Sequence, residues 1–220
     1  MQRDAVKRCS TAIALGVCVV VSATVESGLP SAKGEGVPPA DYIQAEVKGR
    51  IGTAPVTEAQ HTGLKITAGA VTWEVDASAS ETLLKKAAHL DGKLAVARGL
   101  YSERRAGSGV RRILTLHTLA AGKGGDDYMD VTVRGTLKRG VMAVGAETTG
   151  VTITAGALTW ELAMEDHQYA AASKLDGSKA IVTGRLRHQV GVEVKNRYIV
   201  NVRRIRPAML EMGVERQKSP

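Results

Sequence analysis

The sequence predicts an all-β protein with one short helix per unit, laid out as two tandem five-stranded barrels. Three observations carry that expectation. A segment recurs almost unchanged 87 residues further on, short runs alternate apolar with polar residues, and one helix-forming stretch falls between the third and fourth runs of each copy.

The recurrence is specific. Thr67-Ala68-Gly69-Ala70-Val71-Thr72-Trp73-Glu74 returns as Thr154-Ala155-Gly156-Ala157-Leu158-Thr159-Trp160-Glu161, with Leu in place of Val as the only change. Val47-Lys48-Gly49 matches Val133-Arg134-Gly135, Leu90-Asp91-Gly92 matches Leu175-Asp176-Gly177, and Ile113–Leu116 matches Ile199–Val202, all at an offset of 85 to 87. Four landmarks in register are a tandem duplication. Two units of this size make two small domains rather than a solenoid, which stacks three or more shorter repeats.

In the first copy, Ile43–Ile51 alternates as a half-buried strand does. Gly63–Thr67 and Val71–Val75 follow, joined by the tight Ala68-Gly69-Ala70 turn. Ser80 is placed to cap a helix over Glu81–His89, whose Leu83, Leu84, Ala87 and Ala88 make one stripe, and Asp91-Gly92 ends it. Lys93–Tyr101 and Arg111–Leu119 supply two more strands. The second copy repeats the order, with strands near Asp130–Leu137, Gly150–Thr154 and Leu158–Ala163, a helix over about Asp166–Leu175, and strands at Ala180–Arg187 and Asn196–Arg204.

Three strands, a helix and two strands is the order of an OB-fold barrel. Gly49 and Gly135 fall inside the first strand of each copy, where such a barrel bends that strand to join both of its sheets. On this element order and the repeated Thr-Ala-Gly-Ala-Val/Leu-Thr-Trp-Glu segment, the chain resembles the OB-fold superfamily, and is similar to secreted bacterial proteins that carry tandem copies of such a domain. The resemblance covers Ile43–Leu119 and Met129–Pro207. It implies a fold, with no catalytic motif attached, and OB-folds serve many unrelated tasks.

The flanks read differently. Residues 1–23 have the pattern of a signal peptide: Arg3, Lys7 and Arg8, an apolar run from Thr11 to Val21, and small residues at Val21-Ser22-Ala23. Cleavage there removes Cys9 and Cys18 and leaves no transmembrane span. Two alternatives are a lipoprotein acceptor at Cys18, poorly matched by Leu15-Gly16-Val17, and an uncleaved anchor. The expected location is exported, periplasmic or extracellular. Residues 24–42 form a Gly-, Pro- and Ser-rich flexible linker, 120–128 separate the copies, and 208–220 form a tail.

The 220 residues are 44% hydrophobic with 30 basic against 22 acidic side chains, a net charge of +8. Without residues 1–23 the count is 27 against 21, a net +6, so the basicity belongs to the repeats. It points to anionic partners. Aromatics are 3%, with no Phe, which argues against an extended stacking platform.

Among the basic residues, Lys48 matches Arg134 on the first strand and Arg111 matches Arg197 at the start of the fifth. With Arg112, Arg185, Arg187 and Lys195 they form the candidate ligand-binding set, since the loop between the fourth and fifth strands borders the usual OB groove. Such residues engage phosphate, sulfate or carboxylate, or else are merely solvated. Glu103 and Glu193 lie among them and weaken an anion funnel, and the second copy carries the denser cluster. Trp73 and Trp160 are aromatic candidates for stacking, with a place in the barrel core as the alternative. Glu74 and Glu161, one position on, are expected on the opposite face, in solvent.

Metal and catalytic sites are not expected. His61, His89, His117, His167 and His188 are scattered, Gly122–Gly125 lacks the ending of a phosphate loop, and no serine has a nucleophile-elbow context. The reading that follows is a non-catalytic exported binding module, needing no cofactor, whose grooves engage an anionic polymer or an envelope protein. Second stands a single-stranded nucleic-acid-binding protein, and third a structural or assembly protein of the cell envelope.

Overall fold

The computed structural model describes residues 40–53, 63–106, 109–141, 148–190 and 197–208, all within the compact unit Pro38–Pro220. Residues 1–23, both cysteines, His61, Glu193, Lys195 and the tail beyond Ala208 lie outside them, as do the expectations that fell there.

The described chain is mostly β. Its first half runs β1 (Tyr42–Thr53), β2 (Leu64–Ala68), β3 (Val71–Asp76), α1 (Glu81–His89), β4 (Leu94–Ala106) and β5 (Gly109–Ala121). The pairings close on themselves: β1 with β2, β2 with β3, β3 parallel to β5, β5 with β4 and β4 with β1. This is a closed five-stranded barrel, which leaves no free edge.

The second half runs β6 (Tyr128–Arg139), β7 (Val151–Ala155), β8 (Leu158–Ala163), α2 (Asp166–Ser173), β9 (Lys179–Gln189) and β10 (Arg197–Pro207). Its pairings follow the same succession, with β8 parallel to β10 and β9 returning to β6. The strands at the ends of each half are longer than alternation suggests. β4 and β5 extend to Ala106 and Gly109, because the polar tip of the hairpin still pairs its backbone after the apolar pattern has ended.

Gly49 sits where one edge of β1 passes from β6, whose pairing ends at Lys48, to β2, whose pairing begins at Arg50, while the other edge stays on β4. A Cβ there would lie 2.2 Å from the Thr67 carbonyl oxygen, and at Gly135 one would lie 2.3 Å from that of Thr154. Only a residue without a side chain lets the strands approach so closely. Both helices are fixed by their starts. Ser80 Oγ accepts from the Leu83 amide, and Glu165 with Gln168 forms a capping box.

The halves meet through β1 and β6, which pair antiparallel from Tyr42↔Arg134 to Lys48↔Tyr128. Strands β4, β1, β6 and β9 thereby form one continuous sheet. At the centre of the ladder Ala45 faces Val131, the residue 86 positions on and its own counterpart in the repeat. A pseudo-two-fold axis therefore passes through this pair, the arrangement of an isologous dimer written into one chain.

The apolar side chains of both halves make one core. Tyr101, on β4, links its two parts. Its ring lies 4.5 Å from that of Trp73 and 5.3 Å from that of Trp160, within the range of tilted aromatic pairs.

Candidate functional site

The repeated octapeptide is a structural cassette, and the same partners serve it in both halves. Thr67 and Thr72 hydroxyls meet at 3.0 Å across β2 and β3, as Thr154 and Thr159 do at 2.9 Å. Gly69 and Gly156 open the two-residue turns at φ of 56° and 60°. Their amides point into the other half: Gly69 N–H toward Asp127 Oδ2 at 3.5 Å, and Gly156 N–H toward Asp41 Oδ2 at 3.4 Å. Asp41 and Asp127 are themselves repeat counterparts, so these contacts are reciprocal.

The glutamates correct an expectation. Glu74 and Glu161 are not in solvent; each holds an arginine of the fifth strand of its half. Arg111 donates to Glu74 through Nε at 2.8 Å and Nη2 at 2.5 Å, and Arg197 to Glu161 at 2.8 and 2.7 Å. These forks are largely buried, with the arginine side chains 13% and 8% exposed. The parallel pairing of β3 with β5 and of β8 with β10 brings them together. Arg197 holds the Glu161 carboxyl below its ordinary range, and Glu74 raises Arg111. Arg111 and Arg197 are thus committed to carboxylates of their own halves.

Trp73 and Trp160 are 0% and 4% exposed and belong to the core. Trp73 offers no face to a ligand and Trp160 only the sliver that borders the cleft beside Arg112, the core placement that a protein without Phe makes natural. Arg112 lies 3.4 Å from Glu103 and over the ring of Tyr198, beside a cleft of about 300 Å³ that also includes Trp160 and Arg197. Arg187 is exposed on the hairpin of β9 and borders a smaller cleft with the Gly69-Ala70 turn.

Lys48, Arg134 and Arg185 are gathered elsewhere, on the outward face of the β4–β1–β6–β9 sheet. Alternation sends Ile43, Ala45 and Val47 inward and Gln44, Glu46 and Lys48 to this face. The β6 residues opposite them are Thr132, Asp130 and Tyr128. A trough of about 310 Å³ runs over the junction, bordered by Gln44, Glu46, Arg98, Asp130, Thr183 and Arg203.

Glu46 and Asp130 face one another across the ladder, an arrangement of like charges that needs cations. Arg98 donates to Glu46. Arg185 donates to Asp130 Oδ1 at 2.6 Å and Arg203 to Oδ2 at 3.0 Å. The guanidiniums of Arg98, Arg203 and Arg185 nonetheless stay open to solvent, their side chains 59%, 56% and 39% exposed. Tyr128 donates to Glu46 Oε1 at 2.5 Å, which raises its hydroxyl above the ordinary value of 10, and Arg185 lies 4.8 Å over its ring. Lys48 is nine-tenths buried and donates to the Gly124 carbonyl at 2.9 Å. Its counterpart Arg134 is 7% exposed, and its buried Nε has no hydrogen-bond partner among the described residues.

Arg98 and Arg203 were outside the candidate set. Their signal in the sequence is weak: Arg98 stands apart from the Arg104-Arg105 pair further along β4, and Arg203 occupies a bulge between Val202 and Arg204 that only the pairing reveals. Among the described residues no group of three or more His, Cys, Asp or Glu is placed to hold a metal, and no helix is long and apolar enough to cross a membrane.

No protein-family model matches the chain, and no curated protein aligns with it. Among solved structures, the single-stranded DNA binding protein from Thermus aquaticus is similar over 78% of this chain and 95% of that one, at 14% identity and a TM-score of 0.47. A deletion variant of the same protein is similar over 80% and 98%, at 15% identity and a TM-score of 0.45. The five-stranded barrel itself stands on the strand pairings.

Proposed function

We propose that the protein is two OB-fold barrels fused in tandem, and that it binds single-stranded nucleic acid across their shared sheet without acting on it chemically. The observation that supports this is the trough over the β1–β6 junction. Five cations share this face or border it, Lys48, Arg98, Arg134, Arg185 and Arg203, against the two carboxylates Glu46 and Asp130. Three of the guanidiniums are exposed, and their carboxylate partners hold them in place without covering them. Phosphates can then bridge to donors that are already oriented. Tyr128 adds one ring beside them, enough for a single base but not for a platform. A flexible single strand can follow a short trough, whereas duplex DNA, with a persistence length of about 150 base pairs, resists bending into it.

The second reading is an exported module for an anionic envelope polymer. The leader-like pattern of residues 1–23 favours it, and the same face would serve. Competition separates the two. A fluorescent oligo-dT bound to the full chain should be displaced by unlabelled single strand more effectively than by duplex of equal length or by a sulfated polysaccharide. Stronger displacement by the polysaccharide would transfer the assignment to the envelope reading, and failure to bind oligo-dT at low salt would remove the nucleic-acid reading.

A further inference from the structure

The trough is built on a pseudo-two-fold axis, yet its charges do not obey that axis. Glu46 pairs with Arg98 in the first half, and the equivalent pair in the second is Thr132 with Thr183. Asp130 pairs with Arg185 in the second half, and the equivalent pair in the first is Gln44 with Leu100. Arg203 fills the bulge of β10, where the bulge of β4 and β5 has His117. Each charged group on the floor of the trough is therefore present once, with an uncharged residue or a histidine at its counterpart. Only the outer positions keep the symmetry, as Lys48 and Arg134.

Symmetry decides what such a groove can distinguish. A two-fold axis perpendicular to a bound strand exchanges its ends, so a symmetric trough would take the 5′-to-3′ and 3′-to-5′ orientations equally well. Here the second half offers two guanidiniums, Arg185 and Arg203. The first offers one, Arg98, beside the exposed side chain of Leu100. A strand laid in one direction places its phosphates and bases differently against this pattern than a strand laid in the other.

Resting on the reading that the trough binds single strands, we propose that it holds them in one polarity. A single charge-assisted hydrogen bond made in one orientation only corresponds to a preference of about tenfold or more.

The test uses the full chain and two oligo-dT probes of about eight nucleotides, within the roughly 4–16 nucleotides an OB-fold covers. One carries a photoreactive 5-iodouracil at its 5′ end, the other at its 3′ end. Cross-linked peptides are identified by mass spectrometry. The expected result is that one end links to peptides of β4 and β5 and the other to peptides of β9 and β10, with about a tenfold bias. Equal linking of both ends to both halves overturns the proposal while leaving single-strand binding intact. Absence of salt-sensitive binding before irradiation instead removes the reading beneath it. The variant Asp130→Gln with Arg185→Leu and Arg203→His gives the second half the first half's residues at those positions, and should reduce the bias even where affinity also falls.

Discussion

Ala45 on β1 pairs with Val131 on β6, and Val131 is the residue that Ala45 becomes when the repeat is overlaid on itself. That register is what makes two copies into one sheet. Every other β1–β6 pair is then fixed, including Lys48 with Tyr128 and Glu46 with Asp130, and the trough lies over them. Each half supplies one wall, and the pairing of their first strands supplies the face between them.

The two Arg–Glu forks are the most stringent test of the cassette. Glu161→Gln leaves Arg197 largely buried without its carboxylate, and this should cost about 3 kcal/mol in urea unfolding, at the lower end for a broken buried pair. The double variant Glu161→Leu with Arg197→Leu should be milder than the sum of its singles. Additive losses would mean the pair is not coupled.

Acid should expose the same contact. The Glu161 carboxyl is held below its ordinary value of 4.5, chiefly by its hydrogen bonds from Arg197. A depressed folded-state value contributes stability that is fully present above 4.5 and is lost as pH falls below it. Asp76, lowered from 3.8 by hydrogen bonds from Ser78, acts in the same direction at slightly lower pH. Unfolding midpoints measured from pH 7 to pH 3 should fall most steeply below about 4.5, and Glu161→Gln should flatten the decline. A wild-type and variant that fall in parallel would contradict the assignment.

Gly49→Ala and Gly135→Ala should each destabilise by roughly 1–3 kcal/mol or more, because the added methyl meets a carbonyl oxygen of the neighbouring strand. Gly52→Ala provides the control: its nearest neighbour would be 3.7 Å away, the end of the Lys65 side chain. Thermal melts of the three variants should separate the first two from the third, and three equal melts would refute the close approach.

Buried tryptophans make a spectroscopic prediction. Trp73 and Trp160 should resist quenching by iodide, and saturating oligo-dT should leave their emission nearly unchanged. Tyr128→Ala, by contrast, should weaken oligo-dT by up to about 1–3 kcal/mol, the range for one stacked base. Strong quenching of tryptophan on binding would place the ligand elsewhere.

Much of the architecture was legible in the residues. The octapeptide and its spaced landmarks marked two halves with the same order of elements, alternation marked the strands, and Gly49 and Gly135 marked close approaches in the first strand of each half. The partners of polar groups were harder to read. Alternation says that Glu74 and Trp73 point to opposite sides, but not that a parallel strand some 37 residues on brings Arg111 against that glutamate. A signal did exist: Glu74 with Arg111 and Glu161 with Arg197 keep nearly the same separation, 37 and 36 residues, in both copies. Matched opposite charges that recur at matched spacing are candidates for a pair before they are candidates for a ligand site. The trough was less legible still, since it depends on the β1–β6 pairing, and nothing local to either strand announces its partner.

The measurement that bears most directly on the central claim is the salt dependence of oligo-dT binding, followed by fluorescence anisotropy for the full chain and for Arg185→Ala with Arg203→Ala. Binding should weaken linearly in log–log form as salt rises, and the double variant should show a slope shallower by about 1.4, about 0.7 for each lost phosphate contact. An identical slope in wild type and variant, or no binding at low salt, would contradict the assignment of the β1–β6 trough as a single-strand site.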